Sequence, residues 1–223
     1  AVPVNDEPDG RFPGRSPEPK EDTIGDTIAL LKKEQADLAI CFDGDADRVV
    51  FCDREGFLGF NEMIAYISRA VLSSSSAKTV VTTVETGRLL DMAISDVGGK
   101  AVRGKVGDVH VSYLMRDTGA AIGVEQVGVY IFPEMGPYPD SFYAALLLLS
   151  QIQHASEIRQ FLSRLPRLYF DKLKLPCPNQ QKRAVMAYVE SKASQFKASE
   201  VNTLDGLRFE FGDSWMLIRP SGT

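Results

Sequence analysis

The 223-residue sequence lacks the features that mark several classes of protein. It has 3 cysteines, 2 histidines and 1 tryptophan, and its longest strongly apolar run is AALLLL, from Ala144 to Leu149. A membrane-spanning helix needs about 18 apolar residues or more, so no such span is predicted. The cysteines are odd in number and not spaced like zinc ligands, which favours reduced thiols and places Cys41 and Cys52 in the predicted core.

Charge is also modest, with a formal net charge of −5 and scattered basic residues. This pattern argues against nucleic acid and anionic membranes as partners and favours a small molecule. The opening AVPVNDEPDG has no basic start followed by an apolar core, so no secretion signal is predicted and a cytoplasmic location is expected. Because there is no initiating Met and the last residues are the turn-like RPSGT, the chain is expected to be a fragment.

Helix-like and strand-like segments alternate along most of the chain. After an irregular opening rich in Pro and Gly, a helix is predicted over Thr23–Gln35, followed by strands ADLAICF and RVVFCD. Arg54 to Gly56 reads as a turn, and further alternation up to Glu125 precedes a predicted loop, VYIFPEMGPYPDS. Two helices and a small α+β unit that opens with a strand near Leu173 complete the chain. The predicted class is α/β, with mixed, mostly parallel sheets flanked by helices.

An acidic loop separates the first two predicted strands, in the sequence CFDGDADRVVF. Residues two apart in an extended segment face the same way, so Asp43, Asp45 and Asp47 are expected to converge, with Gly44 supplying backbone freedom. Carboxylate oxygens suit a hard divalent cation, and Mg²⁺ keeps positions open for phosphate oxygens. The loop therefore predicts a site for phosphoryl transfer, with Arg48 facing a phosphate.

Three other interpretations of this loop compete with the first. An EF-hand needs Gly at its sixth position and Glu at its twelfth, where this chain has Arg48 and Arg54, so that interpretation fails. The D-x-D of haloacid-dehalogenase-type phosphatases continues with Thr or Val, where this chain has Ala46. A solvated acidic turn is the default for one or two aspartates, and it fits three alternating ones after a buried strand less well.

The last five residues, Arg219 to Thr223, offer a guanidinium, two hydroxyls and backbone N–H groups that Gly222 leaves free to curve. Such a group of donors suits a dianionic phosphate. Pro-Ser-Gly is also ordinary turn chemistry, so the pentapeptide by itself leaves both interpretations open.

Taken together, DGDADR, RPSGT and the earlier EPDGRFPGRSPEP resemble the α-D-phosphohexomutase superfamily of phosphomannomutases, phosphoglucomutases and phosphoglucosamine mutases. GKVGD at Gly104 to Asp108 looks like that family's domain 3 loop, and GVEQVGVYIFP looks like its sugar-recognition loop. The motifs occur in the family's order, and the resemblance spans nearly the whole chain.

The resemblance implies an isomerase that moves phosphate between the 1 and 6 hydroxyls of a hexose, using a phosphoserine, a bisphosphate intermediate and Mg²⁺. It places the end of domain 2, with the metal loop, at residues 1–58, domain 3 at 59–170, and a partial domain 4 at 171–223. The family's domain 1 serine loop has no counterpart here, so the chain is expected to be inactive by itself.

The family's site residues carry over by position. The resemblance implies that Asp43, Asp45 and Asp47 bind Mg²⁺ and that Arg48 holds the reacting phosphate as the catalytic arginine. It assigns Glu125 to the sugar hydroxyls and Lys105 to the vicinity of the substrate, although each could be a solvated surface residue. The residues implied for the non-reacting phosphate are Arg219, Ser221, Gly222 and Thr223.

The chain departs from the family at two places. Many members read G-E-x-S-G-H where this chain has Val127 and Val129, and valine can neither hydrogen-bond a sugar nor relay a proton. Some archaeal members also lack that Ser and His, but the change motivates an alternative function, a non-catalytic paralogue that binds a sugar phosphate or a protein. Pro139-Asp140-Ser141 stands where members usually have Gly-Asp-Gly or Arg-Asp-Gly, and Asp140 is predicted to cap a helix.

Overall fold

A computed structural model describes residues 1–221; Gly222 and Thr223, both assigned to a phosphate above, lie outside the described residues. The first 24 residues form no helix or strand, so the predicted irregular opening is confirmed, and the first helix begins two residues after the predicted Thr23. The elements that follow, in chain order, are α1 Gly25–Lys33, β1 Ala39–Phe42, β2 Val49–Asp53, β3 Gly56–Leu58, α2 Phe60–Ser74, β4 Thr79–Thr83, α3 Leu89–Ser95, β5 Lys100–Gly104, α4 Asp108–Thr118, β6 Ile122–Glu125, β7 Val129–Ile131, α5 Ser141–Gln151, α6 Ser156–Leu162, α7 Asn179–Ser191, β8 Glu200–Asn202, β9 Leu207–Phe211 and β10 Ser214–Ile218, with a 3₁₀ turn at Ala193–Phe196.

The first sheet is antiparallel and has the strand order β1-β2-β3. Strand β3 was not predicted, because only the turn before it was recognised. The Asp53 side chain closes this turn by accepting hydrogen bonds from the backbone N–H groups of Glu55 (2.9 Å) and Gly56 (3.1 Å). Gly56 has a φ of +138°, which a residue with a side chain rarely adopts.

The second sheet has the strand order β5-β4-β6-β7 and confirms the predicted mostly parallel architecture. Strand β4 pairs in parallel with β5 and β6, whereas β7 is antiparallel to β6. The prediction that VYIFPEMGPYPDS is all loop is wrong, because β7 lies at its start. Gly128, with a φ of +88°, makes the tight turn that returns the chain along β6.

One hydrophobic core joins the two sheets. Val49, Phe51 and Leu58 of the first sheet pack in the same cluster as buried residues of β4, β6, α2 and α5. The cysteines of the first sheet are buried, as predicted, with Cys41 7% and Cys52 0% exposed. The predicted helix cap is also confirmed, since Asp140 accepts a hydrogen bond of 2.7 Å from the backbone N–H of Tyr143.

The C-terminal unit contains an antiparallel sheet of order β10-β9-β8 and helix α7. The hairpin predicted at Asp205-Gly206 connects β8 and β9. The strand predicted near Leu173 is wrong: residues 166–178 have no regular structure, and Leu173 is 79% exposed. Pro176 and Pro178 lack the N–H that a sheet requires at alternate positions.

Within residues 1–221, none of the helices combines the length and the apolar character needed to cross a bilayer.

Candidate functional site

The acidic loop between β1 and β2 brings its three aspartates together. Asp43, Asp45 and Asp47 each offer a carboxylate oxygen, and these oxygens all lie within 4.8 Å of one another. Asp43 is buried and Asp45 is exposed. The cluster of like charges therefore lies partly in the protein interior and partly in solvent.

The loop converges for a different reason from the predicted one. It is a tight turn rather than an extended segment, with hydrogen bonds from Asp43 N to Arg48 O (3.2 Å) and from Ala46 N to Asp43 O (3.3 Å). The left-handed residue is Ala46, with a φ of +58°, and not Gly44. A Cβ on Gly44 would lie 3.1 Å from Phe12 Cζ and 3.2 Å from Pro17 Cβ, so this glycine provides space for the N-terminal segment instead.

Arg48 compensates part of the charge. Its Nε donates to Asp43 Oδ2 at 2.7 Å and to Asp47 Oδ1 at 3.3 Å. Its Nη1 donates to Glu18 Oε1 at 2.8 Å, a partner that the sequence analysis missed. With these contacts, Arg48 lies against the carboxylates at the mouth of the loop, and its predicted contact with a phosphate stays a prediction.

The remaining charge shifts the pKa values of the aspartates apart. Burial by itself raises the pKa of Asp43, but hydrogen bonds from the backbone and side chain of Arg48 hold it below its ordinary value. Burial, and then the neighbouring carboxylates of Asp43 and Asp45, raise the pKa of Asp47 from 3.8 to about 6. One arginine therefore does not neutralise the loop, and a carboxyl is driven toward its protonated form.

These residues fit a hard divalent cation. Oxygens that share an octahedral Mg²⁺ at about 2.1 Å lie about 3 to 4.2 Å apart, so a small closure of the side chains would complete a set of ligands. Among residues 1–221, Asp45 has no side-chain hydrogen bond or ion pair that would resist such a movement. A cavity of about 370 Å³ adjoins the loop and is lined by Pro17, Glu18, Asp43, Gly44, Asp45 and Arg48.

Glu125, assigned above to sugar recognition, ends strand β6 and is only 7% exposed. Its Oε1 accepts a hydrogen bond of 2.8 Å from the backbone N–H of Gly107, at the start of α4. Burial raises its pKa, and the nearby carboxylates of Asp108 and Glu85 add to this effect. The alternative that Glu125 is a surface carboxylate is therefore wrong. Lys105, in contrast, is an exposed residue.

Arg219, at the end of β10, lies between two carboxylates that the sequence analysis missed. Its Nε is 3.5 Å from Glu85 Oε1 and 3.6 Å from Asp205 Oδ2. Asp205 Oδ2 also accepts a hydrogen bond of 2.9 Å from Val106 N, in the loop that contains Lys105. The carbonyl of Ser221 accepts from Lys182 Nζ at 2.8 Å. Arg219 therefore lies near the loop of Lys105 to Gly107, whose Gly107 N–H binds the Glu125 carboxylate.

The acidic loop and the turn after Glu125 are directly connected. Val49, the first residue of β2, donates a backbone hydrogen bond of 3.0 Å to the carbonyl of Gly128. A Cβ on Gly128 would lie 2.5 Å from Val49 O, so only glycine permits this approach. The strand that leaves the acidic loop is therefore fixed against the turn between β6 and β7.

The two valines in that turn have different surroundings. Val129 is 3% exposed and packs in a core cluster with Val81, Val111 and Met115, so its side chain fills the core of the second sheet. Val127 is partly buried against the same cluster.

Comparison with known proteins defines the class. Residues 60–169 match the family description "Phosphoglucomutase/phosphomannomutase, alpha/beta/alpha domain III", and residues 1–56 match its "alpha/beta/alpha domain II". A family protein of this kind from Burkholderia thailandensis superimposes with a TM-score of 0.81 and 29% identity, over 96% of this chain and 46% of that one. The chain belongs to the phosphoglucomutase/phosphomannomutase family, within the α-D-phosphohexomutase superfamily.

The similar curated proteins are more specific in name. The chain is 37% identical over 224 residues to a probable phosphoglucosamine mutase of Methanopyrus kandleri, and 34% identical over 228 residues to a phosphoglucosamine mutase of Methanococcus vannielii. Each alignment covers 100% of this chain but only 49% and 51% of the relatives. The chain thus spans about half the length of the curated relatives that it matches.

Proposed function

We propose that this chain is part of a Mg²⁺-dependent phosphohexomutase, an isomerase that interconverts hexose 1-phosphates and 6-phosphates. The observation that carries the proposal is the cluster of Asp43, Asp45 and Asp47, whose oxygens lie within 4.8 Å of one another beside an open cavity and an arginine. Membership of the family supports the same activity. When bound there, Mg²⁺ would stabilise the negative charge of a phosphoryl group during its transfer.

In this proposal, the chain's own residues divide the work of binding and orientation. Asp43, Asp45 and Asp47 hold the cation, and Arg48 exchanges part of its contact with them for the oxygens of the reacting phosphate. Glu125 accepts hydrogen bonds from the sugar, since its buried carboxylate is fixed at one oxygen by Gly107 N. Lys105 lies near the substrate, and Arg219, Ser221, Gly222 and Thr223 bind the phosphate that does not react.

The substrate proposed for the first test is glucosamine phosphate. The support for this choice is the name of the similar curated proteins, which are phosphoglucosamine mutases or probable ones. Mannose and glucose phosphates are the alternatives, because the matched family includes phosphomannomutases and phosphoglucomutases.

A non-catalytic paralogue is the second candidate function, motivated by Val127 and Val129. The burial of Val129 among core residues weakens the motivation, because this valine is explained by packing. The two functions differ in whether product forms. By the first proposal, the 223-residue chain alone binds metal without turnover, because it spans about half the length of its relatives.

The test is a mutase assay of the protein encoded by the complete gene. Glucosamine, mannose and glucose 1-phosphates are supplied with Mg²⁺ and the matching 1,6-bisphosphate, and formation of the 6-phosphate is measured. We expect turnover of at least one substrate. Asp45→Asn should lower kcat more than 100-fold, because it removes one of the three carboxylates that hold the cation. Asp37→Asn, at an exposed aspartate away from the loop, is the matched control. No turnover of any substrate would reject the proposal in favour of a binding function.

A further inference from the structure

The acidic loop receives a hydrogen bond from a distant part of the chain. The Oγ of Ser141, the first residue of α5, donates to the carbonyl of Ala46 at 2.5 Å, across 95 positions of sequence. Ser141 is 0% exposed, and the structure gives this hydroxyl no other acceptor among residues 1–221. The contact joins the stretch matched to domain II with the stretch matched to domain III.

Ala46 is the residue whose conformation needs support. It lies between Asp45 and Asp47 and has a φ of +58°, a region in which residues with a Cβ are strained. Its carbonyl direction depends on that unusual backbone, and it is this carbonyl that Ser141 holds. If the peptide relaxed, the directions of the Asp45 and Asp47 side chains would change together, because they flank it on either side.

Two neighbouring contacts fix the ends of the same loop. Phe142, the next residue of α5, stacks on Phe42, which precedes the loop, with ring centroids 4.4 Å apart and an interplanar angle of 23°. After the loop, Val49 N donates to the carbonyl of Gly128 at 3.0 Å. The loop is thus held before, within and after its aspartates, and Ser141 provides the contact within it.

We propose that Ser141 is a positioning residue for the cation site, acting through the Ala46 carbonyl to hold Asp45 and Asp47 in the arrangement that a divalent cation requires. The proposal rests on the function of the loop proposed above. In this role Ser141 acts through the Ala46 carbonyl and not as a ligand of the cation.

The experiment measures binding of Mn²⁺, as a paramagnetic substitute for Mg²⁺, to the 223-residue chain and to Ser141→Ala. Loss of an outer contact that orients a metal site typically costs about tenfold or more in affinity, so we expect the dissociation constant to rise about tenfold. Ser68→Ala is the matched control, because Ser68 is also 0% exposed but its Oγ has no partner in the described part of the chain. The control is expected to bind Mn²⁺ as the unaltered chain does.

Hydrogen exchange without metal provides a second readout. In Ser141→Ala, we expect the backbone amides of residues 44–47 to exchange at least fivefold faster, while amides of β4 and β6 keep their rates, which also shows that the variant is folded. Equal Mn²⁺ affinity and equal exchange in the loop would overturn the role of Ser141. Absence of Mn²⁺ binding by the unaltered chain would instead overturn the cation site itself, and exchange in the loop would still report whether Ser141 holds it.

Discussion

Asp47→Asn is predicted to stabilise the metal-free protein while weakening its response to Mg²⁺. Burial and the carboxylates of Asp43 and Asp45 raise the pKa of Asp47 to about 6, so its charged form is disfavoured in the folded state. Asparagine resembles the protonated aspartate in shape and keeps a donor for Asp43 at every pH. The substitution therefore removes a repulsion that the folded protein carries at neutral pH.

The magnitude follows from the pKa and the exposure. A rise from 3.8 to about 6 corresponds to about 3 kcal/mol for a fully buried carboxyl. The Asp47 side chain is 44% exposed, so water screens the repulsion and we expect a gain of about 1 kcal/mol. Because the folded-state pKa is the higher one, the penalty is absent below about pH 4, develops between pH 4 and 6, and is complete above pH 6.

Urea unfolding measures both parts of this prediction. With a chelator at pH 8, Asp47→Asn should be about 1 kcal/mol more stable than the unaltered chain, and the two should be equal near pH 3.5. With millimolar Mg²⁺ at pH 8, the unaltered chain should gain stability by ligand linkage and the variant should gain little. A variant that is less stable in the chelator, or that gains as much from Mg²⁺, would refute the reasoning.

Two further predictions concern contacts that hold the site in place. Arg159→Met should lower the free energy of unfolding by about 3 kcal/mol at pH 7. Arg159 donates to Asp53 at 2.7 and 2.9 Å, and the substitution leaves this carboxylate, which is 8% exposed, without its cation. Hydrogen bonds from Arg159 and from two backbone N–H groups outweigh burial and lower the pKa of Asp53, so the cost of Arg159→Met in chemical denaturation should shrink as the pH falls below about 4. The control is Arg116→Met, which removes an exposed ion pair and should cost under about 0.5 kcal/mol. Equal costs for the two variants would contradict the argument. Gly128→Ala should cost at least about 2 kcal/mol, because the residue has a φ of +88° and its Cβ would meet Val49 O at 2.5 Å. Gly119→Ala, with a φ of +61° and open space around it, should cost about 1 kcal/mol in the same thermal unfolding assay, and a similar loss at both positions would argue against the contact with Val49.

The parallel sheet could be predicted from sequence because long segments with clear periodicity alternate along the chain. Strands β3 and β7 could not, since each has only three residues and begins at or directly after a glycine with a positive φ. Such short strands form because they pair with a neighbouring strand, and the local sequence does not indicate which strand that is. The strand expected near Leu173 was wrong for the opposite reason, because its apolar residues have no sheet to join.

The acidic cluster was located correctly by spacing, but its geometry was not. Alternation in an extended segment suggested convergence, whereas the structure achieves it with a turn and a left-handed Ala46. Glu18 and Ser141 reach the loop from 30 and 95 positions away, and nothing in their own local sequence indicates such a contact. Glu85 and Asp205 were missed for the same reason, since each becomes informative only beside Arg219.

The most direct test of the metal site is an electron paramagnetic resonance titration of the 223-residue chain with Mn²⁺ at pH 7.5. Carboxylate sites accept Mn²⁺ in place of Mg²⁺, so the signal of free Mn²⁺ should fall until one equivalent is bound and should return when excess Mg²⁺ is added. The double variant Asp45→Asn/Asp47→Asn should leave the free signal unchanged. The account would be contradicted if the unaltered chain left all the Mn²⁺ free, or if the double variant bound it equally well.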